Sequence, residues 1–222
     1  MNHLLAVVIA TACFSVGCAF SSVDVHPPAA LTADAAPRSI PSNARGREVI
    51  VVAPFADARP DPRRCGMQMN GWRMDTADVR CDPEPGRWLA DAFARRLEGD
   101  GYRVLSSEAV PGPSTILVRG SVKQLFLEPY DRFFTRTVEG DFSVHLVVTT
   151  GSGLHAERTF YVKGTQTHIG SFESVFQSAA DDATYRIARA MVDALGDLLQ
   201  PYPELGAPEA TKAVARTAGG AR

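Results

Sequence analysis

Two long runs of alternating hydrophobicity, residues 116–127 and 138–150, constrain this chain more than any other feature of its 222 residues. Successive side chains of a strand point to opposite faces, so such runs have one buried side and one wet side. In the first run Ile116, Val118, Val122 and Phe126 share a face with Gly120 and Gln124. In the second, Phe142, Val144, Leu146 and Val148 are in phase, with Glu139, Asp141, Ser143 and His145 opposite. Gly151-Ser152-Gly153 is a hairpin turn into a third strand over residues 154–163, after which the polar stretch 164–171 leaves the sheet. These runs predict an antiparallel meander.

Upstream, residues 48–55 (EVIVVAPF) are β-branched and almost wholly apolar, the pattern of a central strand buried on both faces. Pro54, Pro60 and Pro62 turn the chain into a loop that continues to Cys81. Asp82-Pro83-Glu84-Pro85 reads as a helix start, with Asp82 as N-cap and Pro83 at the first helical position. Trp88, Leu89, Ala92, Phe93 and Leu97 form one apolar stripe, and Gly99 and Gly101 end it. A short strand over 102–105 follows. A second helix is predicted from about Ser174, at capping-box spacing from Gln177, to Leu199, where Pro201 and Pro203 stop it. The order of elements predicts an α+β domain, a mostly antiparallel sheet with two helices on one face.

The amino terminus indicates an address. The apolar run 4–12 is too short to cross about 30 Å of hydrocarbon, but fits the core of a signal peptide. Phe14-Ser15-Val16-Gly17-Cys18 resembles a bacterial lipobox, which implies cleavage before Cys18 and its lipidation. Cys13, after Ala10-Thr11-Ala12, is the alternative acceptor. Ala19 rather than Asp follows Cys18, and the resemblance then implies the outer membrane, facing the periplasm. The chain divides accordingly into a signal peptide (1–17), a lipidated terminus and flexible tether (18–46), one α+β domain (47–203) and a disordered tail (204–222). Within the tether, residues 22–26 have the pattern of a short strand.

Cys65 and Cys81 remain as an even pair in an exported chain, and are expected to form a disulfide. No histidine lies between them and neither belongs to a CxxC, so zinc is not expected. The enclosed segment carries Met67, Met69, Met74 and Trp72 around an Asn70-Gly71 turn signal. Met67, Met69 and Trp72, with Phe133 and Phe134 at a second hairpin tip, are the candidate partner contacts, against the alternative of folding back onto the core. His145, His155 and His168 do not cluster in sequence, and no GxSxG, HExxH, P-loop or GxGxxG element occurs. No catalytic residue, metal or cofactor is therefore assigned. With 23 basic and 25 acidic side chains, the composition gives no basic surface for nucleic acid.

The stretch 116–199, with ILVRGSVKQLFLE, VEGDFSVHLVVTT and IARAMVDALGDLL in order, resembles the YajG-like family of small bacterial lipoproteins. A broader likeness extends to auxiliary lipoproteins of ABC-type transport systems. The resemblance implies a non-catalytic outer-membrane lipoprotein whose domain binds or scaffolds an envelope protein. Its alternative is a small-molecule or lipid-binding accessory protein of an ABC-type transport system.

Overall fold

The computed structural model describes residues 21–28, 46–70, 72–132, 135–168 and 172–205. Cys13, Cys18, Phe133, Phe134 and most of the carboxy-terminal tail lie outside the described residues. The elements are β1 (Val23–Val25), β2 (Glu48–Asp57), β3 (Gly66–Met69), β4 (Asp75–Cys81), α1 (Pro85–Gly99), β5 (Arg103–Leu105), β6 (Ile116–Arg132), β7 (Thr135–Thr150), β8 (His155–His168) and α2 (Phe172–Leu199).

The expected mostly antiparallel sheet is overturned. The sheet is a mixed, curled half-barrel, and strands make up 45% of the described residues. β2 runs parallel to both β5 and β6, β3 runs parallel to β6, and β1 runs parallel to β4. Among the described residues, the β3–β4, β6–β7 and β7–β8 pairs are the antiparallel ones. For β2 and β5 the reason is topological: the connection between them runs through the β3–β4 hairpin and α1, a crossover that returns the chain in its original direction. The near-continuous apolar run of β2 belongs to such a parallel, doubly flanked position.

Long β6 organises everything else. One of its edges is shared by β2 along residues 116–122 and by β3 at Leu127, while β7 takes the whole of the other edge. A bulge between Val122 and Gln124 resets the alternation. Val122, Leu125 and Leu127 therefore all point into the core, and Phe126, expected inside, is only half-buried on the other face. The helix-bearing face of the sheet shares one hydrophobic core with α1 and α2, built around Trp88, Phe55, Phe93, Phe142 and Phe176.

Element ends also depart from expectation. α1 begins at Pro85 with Glu84 as N-cap, so the second proline, not Pro83, takes the first helical position. α2 begins at Phe172, and Ser174 falls inside its first turn. Gln177 bonds instead to a distant segment, where its side chain donates to the His26 carbonyl at 2.8 Å and accepts from the His26 N–H at 2.9 Å. That amide pins the end of β1 to α2. β8 continues through Gly164 to His168 instead of ending before the glycine.

Candidate functional site

The loop between the two cysteines is a hairpin, and every level of structure holds it in place. A disulfide joins Cys65 and Cys81 at its base, with the Cα atoms 5.8 Å apart. The Cys65 amide donates to the Val79 carbonyl, and the Leu127 amide donates to the Cys65 carbonyl, each at 2.8 Å, which ties the hairpin into the sheet. A Cβ on Gly66 would come within 2.3 Å of the Leu127 carbonyl oxygen, so only glycine lets β3 approach β6 this closely.

Arg59 locks the approach to the hairpin. Its buried guanidinium donates to both Asp57 carboxylate oxygens, at 2.9 and 2.8 Å, and to the carbonyls of Pro62 and Arg64 at 2.6 and 2.9 Å. Burial alone would raise the Asp57 pKa, but the Arg59 hydrogen bonds and charge outweigh it and hold the carboxyl below its ordinary value. Arg64 then pairs with Asp75 and, at 2.8 Å, with Asp78 on β4.

The tip reverses between Asn70 and Met74. The Asn70 side-chain oxygen accepts from the Trp72 and Met74 amides, each at 3.0 Å, and the Arg73 amide donates to the Asn70 carbonyl at 2.9 Å. Arg73 is left-handed, with φ 61°. This is the longer hairpin reversal, a turn followed by a left-handed residue, rather than a two-residue Asn-Gly turn. The candidate contact residues separate here: Met69 packs inward, Met67 is half-buried, and Trp72 stands 84% exposed. Met74, noted with the loop's other methionines but not among the candidate contacts, is 57% exposed beside it. Phe133 and Phe134 lie outside the described residues.

Two other places bring chemistry together. Pairing of β7 with β8 places His145 and His155 around Glu157: His155 Nε2 is 3.0 Å and His145 Nε2 is 3.6 Å from its carboxylate. His145 Nδ1 is 3.1 Å from Thr159 Oγ1. The group lies on the solvent-facing side of the strands, with His155 and Glu157 exposed and His145 partly so. Among the described residues, no group of three His, Cys, Asp or Glu could hold a metal ion. On the helix-bearing face, Leu146, Val148 and Phe160 with Phe93, Met191 and Leu195 line an apolar groove of about 320 Å³. Among the described residues, no helix is long and apolar enough to cross a membrane.

No family model and no curated protein matches the chain. Solved structures do. A Xanthomonas campestris protein of the DUF330 family aligns over 78% of this chain and 93% of its own, with a TM-score of 0.53 at 13% identity, which shows a shared fold. A Caulobacter crescentus protein assigned as a lipoprotein aligns over 52% of this chain and 83% of its own, with a TM-score of 0.34 and 14% identity. A Neisseria meningitidis lipoprotein aligns over 68% and 99%, with a TM-score of 0.32 and 12% identity. None of these three carries an enzyme's name.

Proposed function

We propose that the chain is a lipid-anchored lipoprotein of the outer membrane, periplasm-facing, whose α+β domain binds or scaffolds another envelope component without catalysing a reaction. One observation carries the reading: the lipobox-like Cys18 stands five residues before Val23, the first residue of a strand built into the sheet. An acyl anchor there would hold the folded domain at the membrane. The Cys65–Cys81 disulfide suits the oxidising side of a membrane. Labelling with a radioactive fatty acid tests the anchor: the wild type takes label and Cys18→Ala does not. In-cell crosslinking tests the partner: recovery of one envelope protein is expected, and a wild type that is labelled but recovers none refutes the scaffold role.

The groove beside α2 favours a second reading, a carrier for a lipid or other apolar ligand in an ABC-type transport system. Its volume of about 320 Å³ reaches the lower end of ordinary ligand sites, and its walls are mostly aliphatic and aromatic. A fluorescent fatty acid would bind the wild type and lose affinity in Ala194→Phe, whose ring enters the groove. Equal binding by both proteins rejects the groove as the site.

A further inference from the structure

The exposed tip of the stapled hairpin plays no part in the core, and the register of β1 says what it faces. β1 runs parallel to β4, with Val23 beside Val79 and Val25 beside Cys81. Followed backwards from Val23, the chain therefore heads along β4 towards Asp75 and the hairpin tip. Gln68 Nε2 donates to the Ser21 carbonyl at 2.8 Å and fixes Ser21 against the hairpin. By register Ser21 stands level with Ala77. Three residues further back in the sequence, Cys18 can lie no more than about 10 Å from Ser21. Tyr130 reaches the same end of the sheet, because the parallel pairing of Gly66 with Leu127 sets it level with Met69.

We propose that the hairpin tip, Trp72 and Met74 with Tyr130 at its side, enters the interfacial zone of the bilayer that holds Cys18. The proposal rests on the reading of Cys18 as lipidated. The domain then sits directly on the membrane in one orientation, and does not swing on a tether. The chemistry fits a lipid surface. An indole 84% exposed and a flexible thioether 57% exposed offer apolar area with a polar edge. Exposed Arg73 stands between them, with a long side chain whose charged end reaches phosphates while its stem lies along acyl carbons. Tryptophan and tyrosine are the residues that membrane interfaces favour. The short reach of residues 18–21 argues for lipid over a protein partner, since it keeps the anchored cysteine within about 10 Å of Ser21, which Gln68 of the hairpin holds. The disulfide and the Asn70 cap hold the tip rigid, so it stays presented in that direction.

The test uses full-length protein purified from bacterial membranes and placed in vesicles of phosphatidylethanolamine and phosphatidylglycerol. The chain has two tryptophans, and Trp88 is fully buried, so vesicle-dependent changes report on Trp72. Lipid brominated near the headgroup should quench the emission down to that of Trp72→Phe, which keeps only Trp88. Acrylamide should lose access to Trp72. Vesicle-bound protein whose Trp72 stays water-like and open to acrylamide overturns the proposal, as does protection of Trp72 that requires a second envelope protein. Mass spectrometry of the amino-terminal peptide is run on the same sample. Absence of acyl chains on Cys18 defeats the anchor and the insertion together, whereas acylated, vesicle-bound protein with a solvated Trp72 defeats only the insertion.

Discussion

Gly140 and Gly164 face one another across β7 and β8, beneath Ala179 and Ala183 of α2. A Cβ added at Gly164 would lie 2.6 Å from the Ala183 nitrogen, 2.7 Å from the Ala179 oxygen and 2.8 Å from the Ala183 Cβ. Two of those atoms are helix backbone and cannot turn aside, so α2 must lift by about 0.8 Å to restore ordinary contact. Overpacking of this kind costs about 1–3 kcal/mol, and relief of the strand glycine returns roughly 0.5–1 kcal/mol. Gly164→Ala should therefore lose about 2 kcal/mol net of stability where the helix resists the shift. At Gly140 the same Cβ would meet only the end of the Leu127 side chain at 2.9 Å, with Ala179 and Ala183 at 3.5 Å. A methyl group can rotate away, and Gly140→Ala should stay within about 0.5 kcal/mol of wild type. In urea, with a slope of about 2 kcal/mol per molar, the midpoint should fall by about 1 M for Gly164→Ala and hardly move for Gly140→Ala. Both changes are Gly→Ala in neighbouring strands, so unfolded-state entropy cannot produce the difference. Equal midpoints, or a lower one for Gly140→Ala, would refute the claim that helix backbone seated on Gly164 sets the spacing.

Three further outcomes are expected. Cys65→Ala/Cys81→Ala should lose about 3 kcal/mol, the chain entropy released by opening a loop with a sequence separation of 16, and dithiothreitol should bring wild type to the same urea midpoint. Arg59→Ala should lose about 3 kcal/mol, because it strands a partly buried Asp57 carboxylate and leaves two carbonyls without their donor. The Asp57 carboxyl is held below its ordinary value, so its contribution is complete above about pH 4 and lost as pH falls through the folded pKa. Urea midpoints between pH 2 and 6 should show this acid limb in wild type and a weaker one in Arg59→Ala. Asp181 behaves oppositely: burial raises its pKa against the Gln177 hydrogen bond, so its charge costs stability above the folded pKa and the cost fades on acidification. Asp181→Asn keeps an acceptor for Gln177 and should equal or exceed wild type by up to about 1 kcal/mol at pH 7, the gap closing near pH 3.

What could be read from the residues alone was local, and what failed was relational. The three-strand run, the glycine turn before β8 and the apolar stripe of α1 follow from side-chain period and turn chemistry, which sit inside a single segment. Gly164 shows the limit. Glycine weakens a strand, so the sequence rule ends β8 there. The strand continues through it because α2, the next element, folds back to pack where a Cβ would stand. The bulge after Val122 is similar. Alternation extrapolated from Ile116 and Val118 puts Phe126 inside, whereas one extra residue swaps it for Leu125 and Leu127. Strand direction was relational too, since the apolar run of β2 is compatible with either direction until α1 is recognised as a crossover.

β1 carries the same lesson to the candidate site. Residues 22–26 read as a short strand inside a linker, but nothing in that pattern names the strand's partner. Its place is set by β4, more than fifty residues on, and by Gln177, more than one hundred and fifty residues on. With it in the sheet, an anchor at Cys18, as proposed, would be joined to the fold by only the residues before Ser21. An exposed tryptophan on a rigid hairpin then ceases to be a generic contact surface. Direction and reach, neither of them a property of residue type, carry the proposed bilayer contact of Trp72, and the same indole at the opposite end of the sheet would not support it.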